Sequence, residues 1–165
     1  MASVGMLPSG MSICCSLPDI FFLPELVFGG LVWILVACTQ IVPANPQAYV
    51  MAVSLFCFCV TFLWMMIFLC GTHNSRSSWA GADVLYHGLA AMLYLSASVF
   101  LAQVTIGFGY AYQAVTSSMT TASPEGVSAV LYFYRLDISA VVFSFMATLL
   151  YTLHAIFSGI RWKTF

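Results

Sequence analysis

The sequence predicts an all-α transmembrane four-helix bundle with short loops and both termini cytoplasmic, and two observations carry that prediction. The first is scarcity of charge. Of 165 residues, 62% are hydrophobic and 5% are charged, whereas an average soluble domain is roughly 25% charged. Four Lys and Arg with five Asp and Glu cannot cover a protein of this size in water, so lipid is its solvent. The second is where those charges fall. None occurs between Glu25 and Arg76, between Asp83 and Glu125, or between Asp137 and Arg161. About 20 residues of helix cross the hydrocarbon core, and the first gap is long enough for two crossings.

The spans read in order as residues 20–42, 48–70, 83–108 and 139–160. The first follows Leu17-Pro18-Asp19 and carries the pair Gly29-Gly30. Pro43-Ala44-Asn45-Pro46-Gln47 separates it from the second, where Phe56, Phe58, Phe62, Leu63, Trp64, Met65, Met66 and Phe68 make a helix bulky nearly all round, suited to facing lipid. The third starts at Asp83, and the fourth lies between Asp137 and Arg161. Each must be helical, because unpaired backbone N–H and C=O groups are too costly in lipid. Residues 1–19 form a cytoplasmic N-terminal segment, 20–160 the four-span domain, and 161–165 a cytoplasmic tail. The N-terminal apolar run has no Lys or Arg before it, unlike a cleaved signal peptide.

Cationic residues set the orientation. Arg161 and Lys163 follow the last span and Arg76 lies in the second loop, which places that side in the cytoplasm; Arg135 dissents. The inner loop is residues 71–82 and the longer outer loop is 109–138. The outer loop carries Tyr110, Tyr112, Tyr132 and Tyr134, which suit a headgroup-level aromatic belt, with Trp79 and Trp162 at the other interface. A net charge of −1 gives no reason to expect a nucleic-acid partner.

Small residues are expected to pack the helices. Ala140, Ser144, Thr148 and Thr152 recur every four positions, and Ser98 and Ala102 repeat that spacing; such stripes let backbones approach. Their surplus would serve self-association. Six cysteines, Cys14, Cys15, Cys38, Cys57, Cys59 and Cys70, avoid the outer loops, so a disulfide framework is not expected. Cys57 and Cys59 read as packing residues. Cys14, Cys15 and Cys70 lie where S-palmitoylation occurs.

Ionisable residues inside spans are costly and usually paired. Glu25, Asp83, His87 and His154 fall at similar depth near the cytoplasmic side, with Asp19 close by. Two readings follow: a polar cluster in which Asp83 bonds His87 at i,i+4 and Glu25 faces His154 or water, or a proton or ion path. His73 lies in the inner loop. No metal-binding spacing is present, and a bis-His haem between His87 and His154 has only their depth in its favour. No cofactor is expected. No nucleophile turn, P-loop or dinucleotide fingerprint occurs, so catalysis is not expected.

Specific strings go further. Phe28-Gly29-Gly30-Leu31-Val32-Trp33-Ile34-Leu35-Val36-Ala37 closely resembles the first-span signature of the MAL proteolipids, tetraspan proteins of the MARVEL-domain class. Leu7-Pro8-Ser9-Gly10 and Leu17-Pro18-Asp19 resemble the N-terminal segment of that family. Val53-Ser54-Leu55-Phe56-Cys57-Phe58 resembles its second span, and Tyr86-His87 with Leu93-Tyr94-Leu95-Ser96-Ala97-Ser98-Val99 its third. The run from Ala140 to Tyr151 and the tail Ile160-Arg161-Trp162-Lys163 resemble the fourth span and C-terminus. Phe21-Phe22-Leu23-Pro24-Glu25-Leu26 is also similar to a sister member.

The resemblance, covering about residues 7–165, implies a non-enzymatic protein of cholesterol- and sphingolipid-rich ordered membrane. It would act in apical vesicle transport or myelin structure, with both termini cytoplasmic. The other expectation, from the residues alone, is a small proton or ion channel or transporter using the Glu25, Asp83, His87 and His154 cluster.

Overall fold

The computed structural model describes residues 7–40, 44–72, 76–117 and 124–164. Among them there are four α-helices and no strand: α1 (Phe22–Cys38), α2 (Ala44–Leu69), α3 (Ser77–Ser117) and α4 (Pro124–Lys163). Two 3-10 turns, Gly10–Cys15 and Asp19–Phe21, lead into α1. All four helices are long and apolar enough to cross a membrane.

Helix ends follow local chemistry. Pro24 sits in the first turn of α1, where a missing N–H leaves no bond unmade. The first turn of α2 likewise contains Pro46, so the proline-rich break is narrower than the sequence suggests and Gln47 is already helical. Gly71 ends α2 at φ +66°. Its N–H reaches Phe68 O at 3.1 Å and Thr72 N–H reaches Ile67 O at 3.2 Å; this closing turn favours glycine because its φ is positive. Pro124 opens α4 at the position where proline is preorganised.

The segment expected as a long outer loop, 109–138, is mostly helix. With 41 and 40 residues at ~1.5 Å rise, α3 and α4 are each ~60 Å long, about twice a ~30 Å hydrocarbon core. Between Tyr110 and Ser117 nothing breaks the helix, and each further turn adds bonds once a helix is nucleated. The extensions also pack on each other. A Cβ at Gly109 would lie 3.3 Å from the Tyr134 ring, and the Phe108 and Phe133 rings meet at a tilt of 47° with centroids 6.2 Å apart. Tyr110, Tyr112, Tyr132 and Tyr134 therefore sit on helices rather than on a loop.

The helices form a closed ring in which α1 touches α2, α2 touches α3, α3 touches α4 most extensively, and α4 returns to α1. Buried positions alternate three and four apart. On α4 they are Asp137, Ala140, Ser144, Ala147, Tyr151, His154 and Ser158; on α3, Ala80, Asp83, His87, Ala90, Tyr94, Ala97, Leu101 and Val104. That alternation is the seam of a left-handed bundle.

It also corrects the small-residue stripe. A four-residue step overshoots a 3.6-residue turn by ~40°, so the stripe drifts off the seam. Ala140 and Ser144 are buried, Thr148 and Ala102 are half-buried, and Thr152 is exposed. The bulky α2 is likewise split. Phe56, Phe62, Leu63 and Met66 are exposed, while Phe68 is fully buried. Gly29 allows a close approach, since a Cβ there would lie 2.7 Å from Tyr94 OH; Gly30 faces the Phe58 ring at 3.4 Å.

A buried ion cluster as the candidate functional site

Polar side chains inside the bundle gather in layers. At the end opposite the termini, Thr39 donates to Gln47 Oε1 at 2.6 Å, and Gln47 Nε2 donates to both oxygens of Asp137 at 3.0 and 3.1 Å. Farther in, the Ser98 and Ser144 hydroxyls meet at 2.7 Å, with Thr148 3.4 Å away, tying α3 to α4. The Thr61 hydroxyl lies 2.7 Å from both Tyr86 OH and Tyr151 OH.

The densest layer lies near the termini and draws on all four helices. Glu25 of α1, Asp83 and His87 of α3, and His154 of α4 are fully buried. His87 Nδ1 sits 2.8 Å from the Asp83 carbonyl oxygen and 3.1 Å from Asp83 Oδ1. His154 Nδ1 sits 2.9 Å from Glu25 Oε1. The two imidazoles stack with centroids 3.6 Å apart and planes 24° apart. Phe22 covers them edge-on, 4.7 Å from His154. On the side toward the termini, Arg161 donates to both oxygens of Asp19 at 2.9 and 2.7 Å and to Asp83 Oδ2 at 3.0 Å. Asp83 also accepts from Trp64 Nε1 at 2.7 Å and from Ser158.

The sequence-level grouping of Glu25, Asp83, His87 and His154 is thus one set of touching side chains. The i,i+4 contact of Asp83 with His87 is present, and Glu25 faces His154 rather than water. A haem does not fit between the histidines, because rings stacked at 3.6 Å leave no space for a porphyrin plane. The atoms Glu25 Oε2, His87 Nε2 and His154 Nε2 are buried without a hydrogen-bond partner, and one ligand atom from each of these residues lies within 4.8 Å of the others. His73 lies outside the described residues.

Comparison with known proteins places this bundle. Residues 13–157 match the MARVEL family, a membrane-associating domain. The Myelin and lymphocyte protein of Canis lupus familiaris is 44% identical over 160 residues, covering 96% of this chain and 92% of the relative. That of Homo sapiens is 43% identical with the same coverage, and that of Bos taurus 39% identical over 99% of this chain and 95% of the relative. The chain belongs to the MAL family of MARVEL-domain proteins. No solved structure matches it.

In this MAL-family chain the match takes in every member of the cluster except Arg161 and Ser158. Cys15 and Cys70 are exposed and Cys14 is half-buried, at the end that holds the cluster. Cys57 is buried as a packing residue, but Cys59, also expected to pack, is exposed, because two positions along a helix turn the side chain by ~200°. Sequence reading alone takes Trp64 as a bulky lipid-facing residue, whereas its indole N–H turns inward to Asp83, and it passes over Ser158, whose only signal is polar character on an apolar helix. It also treats Arg161 as a topological charge, although Arg161 closes the cluster.

Proposed function

We propose that this MAL-family chain is a non-catalytic tetraspan proteolipid that organises cholesterol- and sphingolipid-rich ordered membrane for apical vesicle trafficking or myelin membrane structure. One observation carries the reading: polar groups are turned inward while the outer faces are bulky and apolar. Phe56, Phe62 and Leu63 on α2, Leu85, Met92 and Val99 on α3, and Val142, Phe145, Leu149 and Ile156 on α4 are all exposed. Such a surface interacts with acyl chains and sterols along its length and leaves association to shape, since lipid is as apolar as the side chains. The likeness to proteins named Myelin and lymphocyte protein supports the membrane setting.

Arg76, Arg161 and Lys163 cluster at the end carrying the termini, which supports a cytoplasmic placement for that end. Acylation of Cys15 or Cys70, both exposed there, or of Cys14 would add a saturated chain to the same leaflet. The channel alternative has less support. Between the two ionisable layers the interior is filled by fully buried Val36, Leu101, Ala147 and the Tyr94–Tyr151 stack at 5.3 Å.

The test is partitioning. Fluorescently labelled full-length protein in giant vesicles of sphingomyelin, cholesterol and unsaturated phosphatidylcholine is expected to concentrate in the ordered phase. Even distribution, or enrichment in the disordered phase, would overturn the reading.

A further inference from the structure

The cluster has a defect in its hydrogen bonding that points to a missing positive charge. Both contacts of His87 Nδ1, the Asp83 carbonyl oxygen and Asp83 Oδ1, are acceptors, so Nδ1 carries the proton. His154 Nδ1 faces Glu25 Oε1 and carries its proton for the same reason. In the neutral rings each Nε2 is then a bare lone pair. His87 Nε2 faces Glu25 Oε2 at 3.5 Å, and His154 Nε2 faces Asp83 Oδ2 at 3.7 Å. Acceptor looks at acceptor, in a fully buried site where an unsatisfied group is most costly.

Charge counting gives the same answer. Asp19 and Asp83 share the single guanidinium of Arg161 and Glu25 faces only the two histidines, so the ionised cluster carries two uncompensated negative charges when both imidazoles are neutral. Two protons on the histidines would neutralise it, but would place two cations in a ring stack of 3.6 Å. A single divalent cation neutralises it without that repulsion.

We propose that Glu25, His87 and His154 form an intramembrane site for a divalent transition-metal ion of the zinc class, bound through His87 Nε2, His154 Nε2 and Glu25 Oε2. Two imidazoles and a carboxylate suit a borderline ion such as Zn²⁺. With metal–ligand bonds of ~2.0–2.1 Å, the edge of a coordination tetrahedron is about 3.3 Å. The 3.5 Å between His87 Nε2 and Glu25 Oε2 is too long for a good hydrogen bond and close to that edge, and ligand atoms of all three residues lie within 4.8 Å of one another. Each Nδ1 already donates to a carbonyl or carboxylate oxygen, the outer arrangement that orients a metal-bound histidine. Ligation rotates the imidazoles out of their stack. Asp83 Oδ2, held by Ser158 and Arg161, flanks the ion. Entry is from the end of the bundle, where the Arg161 side chain is 13% exposed. The ligands come from three helices, so no short motif announces the site.

The experiment uses the full chain in detergent, stripped with a chelator and dialysed against Zn²⁺, with bound metal counted by mass spectrometry. Co²⁺ serves as the optical probe. About one Zn²⁺ per chain is expected, together with visible d–d bands of a four-coordinate N/O site for Co²⁺. The His87→Gln/His154→Gln variant is expected to lose at least tenfold in affinity, and His73→Ala to bind normally. Circular dichroism and elution volume establish that each variant is folded. Should the double variant not fold, Glu25→Gln takes its place, and its Co²⁺ bands must weaken or shift. Absence of uptake by the unaltered chain, or uptake equal in the folded ligand variants, would overturn the proposal.

Discussion

At the residue scale, Arg161 does the most for the fewest atoms. Its guanidinium bridges Asp19, ahead of α1, and Asp83 on α3, so one side chain at the end of α4 holds three segments. Removing it leaves two carboxylates facing each other inside the bundle. Breaking a buried pair from one side costs about 3–5 kcal/mol because the remaining charge is uncompensated. Arg161→Ala is therefore expected to lower the apparent Tm in detergent by that equivalent, and adding Asp19→Asn should recover part of the loss. An unchanged Tm in the single variant would mean that the pairing contributes nothing to stability. The Asp83–His87 half of the cluster is legible from i,i+4 spacing. The Glu25–His154 half is legible only as one of two alternatives, Glu25 facing His154 or water, because 129 residues separate its members and only the ring order of helices brings α1 against α4. Equal depth in the membrane was the one clue, and it identifies neighbours without saying which atoms meet.

At the element scale, charge-free tracts locate the four helices but not where they stop. The charge pattern marks the hydrocarbon, whereas a helix ends where capping chemistry ends it. Gly71 does this for α2 through its positive φ. Nothing comparable halts α3 at Phe108, so it runs on to Ser117. The four-residue stripe packs at Ala140 and Ser144 but leaves the seam toward its end for a related reason: the bundle's buried seam advances by alternating threes and fours, so Thr152 ends up exposed while Ala147 and Tyr151 are buried. Hydrogen exchange tests the extensions. Amides of residues 110–116 and 128–136 are expected to exchange slowly, as helix does, with Gly109 packed on Tyr134. Exchange at the rate of an unstructured loop would return this region to the simpler expectation.

At the scale of the whole molecule, polarity is inverted relative to a soluble bundle: the seam holds Glu25, Asp83, Asp137 and buried hydroxyls, the outside of the spans holds Phe, Leu, Met and Val, and Arg76, Glu125, Arg135 and Lys163 are exposed. Polar layers at both ends fix the register of the helices, since each buried donor or acceptor must find its partner. The apolar exterior leaves the molecule to interact with lipid along its length. Both the lipid-organising role and the isolation of the ion cluster depend on this inversion. It is tested most directly by oxygen accessibility of spin labels placed singly along α4 in bilayers. High accessibility is predicted at Val142, Phe145, Leu149 and Ile156, with low accessibility at Ala140, Ser144, Ala147 and Tyr151. Equal accessibility at both sets, or preferential access of a water-soluble relaxer to the first, would contradict it.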